Sequence, residues 1–152
     1  MKEADISIII ATRNREGILL QTLKKACAAI EDMNAEIIVV NDGDIDLKLP
    51  RGILDKIRLF NNLKRGVASA RNFGADNSKG FILFFVDDDM WINREIIDWI
   101  NCYIIKDKNA EGAYNINWEY PDTLNEKLHI SKIGQYILSN HYNSMWGRMH
   151  EN

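Results

Sequence analysis

At 152 residues, 46% apolar and 27% charged, the chain has the size and composition of one ordinary globular domain. A formal net charge of −3 gives no general attraction to nucleic acid or to an anionic membrane. It also makes an anionic ligand something that local cations or a metal ion must accommodate.

The N-terminus enters a strand-like run without the basic, apolar and small-residue regions of a signal peptide. Apolar runs such as residues 81–86 are too short to cross a bilayer, so a cytoplasmic location is expected. Two cysteines, Cys27 and Cys102, are too few for a disulfide framework and lack zinc-ligand spacing. Both lie in apolar, helix-like stretches, where buried thiols are expected.

In chain order, Ile6, Ser7, Ile8, Ile9 and Ile10 form a β-branched, nearly apolar run, as expected of a strand covered on both faces. A polar stretch from Thr12 to Glu16 follows. Leu19, Leu23, Ala26, Cys27 and Ile30 then recur at helical spacing, and Asn34 and Ala35 end that helix. Residues 36–40 predict a second buried strand, running into Asn41, Asp42, Gly43 and Asp44. Residues 57–60 predict a shorter strand, and 67–77 a helix packed through Val67, Ala70 and Gly74. Residues 81–86 form the most apolar strand, expected to be buried, and it stops at Asp87, Asp88 and Asp89. Asn93 is placed to cap a helix whose Ile96, Ile97, Ile100 and Ile104 make one apolar stripe. Trp91 and Trp99 are expected to pack beneath it, with Trp91 alternatively lining a ligand pocket. Past Gly112, residues 113–118 alternate as a strand would, and Tyr120, Pro121 and Asp122 read as a turn.

Strands alternating with helices predict an α/β fold with a mainly parallel sheet flanked by helices on both faces. Right-handed crossovers place the strand C-terminal ends along one edge, where open α/β sheets bind ligands. Asn14, Asp42 and Asp87, Asp88 and Asp89 all follow such ends, so distant segments should meet at one cleft.

Three adjacent carboxylates repel one another, and burying them without partners would be worse, so something positive is expected among them. Mg²⁺ or Mn²⁺ suits hard oxygen ligands, especially when a substrate diphosphate completes the shell. Alternation sends Asp87 and Asp89 one way and Asp88 the other, one side for the metal and one for a sugar or ribose hydroxyl. The plain alternative is a solvated acidic turn favoured by the dipole of the following helix. Asp42 reads either as turn chemistry beside Gly43 or as an acceptor for a base or ribose edge. Arg71 is either a surface charge or the cation that a bound phosphate needs. His129, His141 and His150 are spaced too widely for a local metal pair.

Four blocks occur in order, namely residues 7–14, 36–44, 66–74 and 80–89. Together they resemble family-2 glycosyltransferases of the GT-A fold, and the last block resembles their DXD motif. The resemblance runs from about Asp5 to Ile104 and implies a nucleotide-sugar-binding domain over 1–111, with the start of an incomplete acceptor-side region at 112–152. By this resemblance Ala11 and Thr12 fall where the first loop contacts the nucleotide, with Asn14 and Asp87 in the same nucleotide-sugar site. Asp42 matches the residue that contacts uracil in UDP donors, and Arg71 a basic position near the base and phosphates. Asp88 falls near the ribose and sugar, and Asp89 at the metal ligand. Departures are Asn41 for the usual first aspartate of its block, Arg13 for a common tyrosine, and Met90 for a frequent fourth acidic residue.

The implied reaction is attack of an acceptor hydroxyl on the anomeric carbon of a UDP-sugar, with inversion and with Mn²⁺ or Mg²⁺ at the leaving diphosphate. A saccharide or lipid-linked acceptor and a role in polysaccharide or glycan biosynthesis follow from the same likeness. The general base should lie well downstream of Asp89. No local motif singles out Glu119, Asp122, Glu126 or Glu151, so the base is expected beyond the chain end and the protein is expected to be truncated. An incomplete domain leaves apolar surface, which makes a homo-oligomer an open expectation. Two other readings stand beside this one. One is a catalytically dead nucleotide-sugar-binding module. The other is a Mg²⁺-dependent phosphoacceptor domain, which expects an acidic pair where Thr12, Arg13 and Asn14 stand.

Overall fold

The computed structural model describes residues 4–105. Four strands carry the fold: β1 (Ala4–Thr12), β2 (Ala35–Asn41), β3 (Arg58–Asn61) and β4 (Gly80–Asp87). Between and after them lie α1 (Glu16–Ala29), α2 (Arg51–Leu54), α3 (Val67–Asp76) and α4 (Arg94–Trp99), the last running into a π-helical turn at Ile100–Ile105. The sheet order is β3-β2-β1-β4 and every pairing is parallel. All four C-terminal ends therefore lie along one edge. The expected sheet, flanked by helices on both faces, is what the chain forms.

The core follows from strand alternation. Ile9 pairs with Ile38 and Ala11 with Val40, and these side chains share the face on which Ala70 of α3 is buried. Phe60 and Phe73 meet there edge to face, with ring centroids 5.7 Å apart. Gly74 lets α3 approach closely, because a Cβ at that position would lie 2.5 Å from Ile9 Cγ2. On the opposite face Ile8, Ile10, Ile37 and Val39 are fully buried, as are Leu19, Leu23 and Ala26 of α1 and Ile97 of α4. The helix α1 touches α4. As expected, Asn93 caps α4, its side-chain oxygen accepting from the Ile96 N–H at 3.0 Å. Ile100 joins the buried stripe, while the side chain of Ile104 lies outside the described residues.

At the N-terminal ends of the strands a polar knot ties the sheet together. Glu36 of β2 accepts from the Ser7 hydroxyl at 2.6 Å, from Arg58 at 2.8 Å and from the Lys79 N–H at 2.5 Å. The Gly80 N–H in turn donates to Ser7 Oγ at 2.8 Å. Burial alone pushes the Glu36 carboxyl up. The bonds from Ser7, Arg58 and Lys79, with the charge of Arg58, outweigh it and hold the group below the usual glutamate range.

Several expectations need correction. Strand β4 is not covered on both faces: among the described residues it pairs only with β1, at the edge of the sheet. Phe81, Leu83 and Phe85 are half exposed, Phe81 at 59%. Their register beside Ser7 and Ile9 puts them on the face that α3 covers, but α3 packs over β1 and β2 and stops short of them. Val67 is exposed because it occupies the first turn of α3, over the cleft side. Trp91 and Trp99 are also exposed, and Lys25 Nζ sits 5.4 Å from the Trp91 ring centroid. Cys27 is buried as expected, but Cys102 is exposed. The helix α2 was not anticipated, since four residues are too few for periodicity to reveal. The strand and turn expected at 113–122, the three histidines and the downstream acidic residues lie outside the described residues.

Candidate functional site

A cleft of about 240 Å³ opens along the C-terminal edge of the sheet. Its walls include Ala11 and Thr12 from the end of β1, Asp42 from the loop after β2, and Asp87, Asp88 and Asp89 from the end of β4. Arg13, Arg15 and Val67 complete the lining. Segments far apart in sequence thus meet at one rim, with Asp42 and Asp89 in the same cavity.

The loop after β2 is built to present Asp42. Its N–H donates to the Thr12 carbonyl at 2.8 Å, continuing the parallel ladder one step past the strands. Its carboxylate accepts from Asn62 Nδ2 at 2.6 Å and from the Gly66 N–H at 2.9 Å. Gly66 adopts φ = 129°, a torsion that side chains disfavour, and so aims this amide from the start of α3. Asn41, the departure noted above, is buried and uses both ends of its amide. Its oxygen accepts from the Gly43 N–H at 3.0 Å, and its nitrogen donates to the Ile45 carbonyl at 2.9 Å and Asn61 Oδ1 at 3.1 Å. A carboxylate could not make those two donations. Asn14, in the left-handed region at φ = 55°, lies against the same turn: a Cβ on Gly43 would come 2.5 Å from Asn14 Oδ1. Asn14 braces the turn and is not part of the cleft lining.

At the end of β4 the three aspartates diverge in the expected sense. Asp88 points inward, its side chain 6% exposed, with Oδ2 accepting from the Thr12 hydroxyl at 2.7 Å. The Thr22 hydroxyl of α1 donates to the Asp88 carbonyl at 2.8 Å. Asp87 and Asp89 face outward, and Asp87 is paired with Arg71. Arg71 therefore touches the acidic turn without lining the cleft itself. The residue that sequence reasoning missed is Arg15, whose Nη1 lies 2.9 Å from Asp88 Oδ1 and whose Nη2 lies 2.7 Å from Asp89 Oδ2. The hydrogen bond to Asp89 and then the charge of Asp88 raise the guanidinium pKa further, so its charge is permanent. The demand for a positive charge was legible, and in this structure two arginines meet it. Among the described residues no three acidic, histidine or cysteine side chains are grouped to hold a metal ion unaided.

An open parallel α/β sheet with a polar cleft across its strand ends places the chain among the open α/β folds, and its particular form here is GT-A. The chain superposes on the crystal structure of S. aureus TarS 1-349 in complex with UDP with a TM-score of 0.53, covering 73% of this chain and 38% of that one at 20% identity. It is 31% identical over 149 residues to an uncharacterised glycosyltransferase of Rickettsia bellii, covering 84% of this chain and 21% of that protein. It is 32% identical over 130 residues to the Escherichia coli UDP-Glc:alpha-D-GlcNAc-diphosphoundecaprenol beta-1,3-glucosyltransferase WfaP, covering 72% of this chain and 51% of that protein. The model of glycosyl transferase family 2 matches residues 7–127, and the chain belongs to that family. It spans about a fifth of the length of the Rickettsia relative.

Proposed function

We propose that the cleft binds a UDP-sugar and that the chain supplies the donor-binding part of a metal-assisted, inverting glycosyltransferase of polysaccharide or glycan assembly. The observation that carries this reading is the convergence of Asp42 and Asp89 on one cavity at the strand ends. The UDP held by TarS and the UDP-glucose named for WfaP support a uridine donor. WfaP's printed acceptor likewise favours a saccharide or lipid-linked hydroxyl here.

Ala11 and Thr12 form the floor on which the nucleotide lies, and Asp42, already held by Asn62 and Gly66, offers its remaining acceptor capacity to the uracil. Arg71 turns from Asp87 to the phosphates. Asp88 serves the ribose end of the site by holding Thr12 in place. The outward carboxylate oxygens of Asp89, with Asp87 beside it, suit Mg²⁺ or Mn²⁺, provided that diphosphate oxygens and water complete the shell. When bound, the ion neutralises charge developing on the leaving diphosphate. Among the described residues no helix is long and apolar enough to cross a membrane.

Calorimetric titration with UDP, with and without Mn²⁺, tests this reading. Wild type should bind in a Mn²⁺-dependent manner, and Asp89→Asn should largely abolish that dependence. Asp42→Asn should weaken binding roughly tenfold, as expected for loss of a hydrogen bond to a charged group. Binding indifferent to both Mn²⁺ and Asp89→Asn would overturn the proposal.

A further inference from the structure

Arg15 stands where the first loop enters α1, and its single guanidinium spans two carboxylates of unlike surroundings. Toward Asp88 the contact is enclosed. That side chain is 6% exposed, its second oxygen is taken by Thr12, and its backbone carbonyl is pinned by Thr22. Removing the cation there would strand a buried charge. Toward Asp89 the contact is open, because that side chain is 48% exposed and its pair with Arg15 faces water. Ion pairs of this second kind hold their partners weakly and are readily exchanged. One end of the guanidinium is therefore anchored and the other is replaceable.

We propose that Arg15 is a built-in counter-ion that yields Asp89, and only Asp89, to a divalent cation when a diphosphate enters, while keeping its hold on Asp88. The inference rests on the metal-assisted reading above. Two cations at one carboxylate repel each other, and the diphosphate supplies the negative charge that lets both remain. Cation and nucleotide binding are thereby coupled, each favouring the other. In the absence of nucleotide, Arg15 competes for Asp89 and keeps the cation affinity low. The liberated Nη2 group then faces the incoming anion, so the acidic turn is never left uncompensated.

The experiment measures Mn²⁺ affinity by electron paramagnetic resonance, with and without UDP, on wild type, Arg15→Gln, Arg15→Lys and Asp89→Asn. Wild type should bind Mn²⁺ weakly alone and roughly tenfold more tightly with UDP. Arg15→Gln should bind Mn²⁺ alone roughly two- to fivefold more tightly than wild type, with the UDP enhancement reduced correspondingly. A lysine reaches one carboxylate at a time and should remain with buried Asp88, so Arg15→Lys should show the same gain. It decides the matter if the glutamine variant fails to fold by circular dichroism. Unchanged Mn²⁺ affinity in the Arg15 variants, alongside its loss in Asp89→Asn, overturns the counter-ion role and leaves the metal reading standing. A wild type that takes up no Mn²⁺ even with UDP overturns the metal reading, and the counter-ion role with it.

Discussion

Replacing Glu36 by glutamine tests whether the polar knot beneath the sheet stabilises the fold through charge. Oε1 of Glu36 takes the Ser7 hydroxyl and the Lys79 N–H, at 2.6 and 2.5 Å, while Oε2 takes Arg58 at 2.8 Å. A glutamine oriented with its oxygen toward Ser7 keeps the first two bonds and turns its NH₂ toward the guanidinium, donor against donor. The loss is one charge-assisted bond, in the range of about 1.5–3 kcal/mol. The Glu36 side chain is 13% exposed but that of Arg58 is 36% exposed, so water screens the pair and about 1.5 kcal/mol is expected. Urea denaturation followed by circular dichroism reads the difference as a shift in midpoint. Because the folded-state pKa of Glu36 is lowered, the stabilisation is complete above the unfolded glutamate value of about 4.3 and disappears as pH falls through the lower folded value. The gap between wild type and Glu36→Gln should be constant from about pH 8 to about pH 5 and close below that. Equal midpoints at neutral pH, or a gap that persists unchanged into acid, would refute this account.

Gly74→Ala should destabilise the fold by about 1–3 kcal/mol, since the new methyl would lie 2.5 Å from Ile9 Cγ2 and 3.3 Å from Val40 Cγ2; a thermal melt within a degree of wild type would contradict the close approach of α3. Burial raises the Cys27 thiol pKa, against a smaller opposing effect of Lys56, and the side chain is enclosed. In the native protein Cys27 should therefore resist iodoacetamide at pH 8 while remaining reactive in urea, as peptide mapping would report. Prompt native labelling would show that α1 opens.

The parts of the fold that were legible in the sequence are those in which one residue type answers one environment. Ile8, Ile9 and Ile10 and the residues from Ile37 to Val40 read as strands buried on both faces, and they are. Once parallel pairing followed from alternation with helices, the meeting of Asp42 with the aspartates after β4 followed from topology. Strand β4 shows where such reading ends. Phe81, Leu83 and Phe85 are as apolar as any core run, yet their exposure depends on how far α3 reaches across the sheet, which no local pattern records. Arg15 illustrates a different limit. The need for positive charge near three aspartates was evident, but a metal ion and an arginine answer it equally well on paper. Which arginines take part depends on placement, and the contacts from Arg15 to Asp88 and Asp89 join segments distant in sequence. The partners of Thr12 and Thr22 were equally hidden, because a hydroxyl gives no sign of which distant group it will bind.

The amide that supports Asp42 belongs to Gly66, a residue whose importance is torsional. Any side chain at that position would favour a different backbone angle and swing the donor away from the Asp42 carboxylate. A substitution there should therefore loosen the Asp42 carboxylate while leaving the rest of the fold intact. The orientation of one carboxylate in the cleft thus depends on a backbone atom that a survey of side chains would pass over.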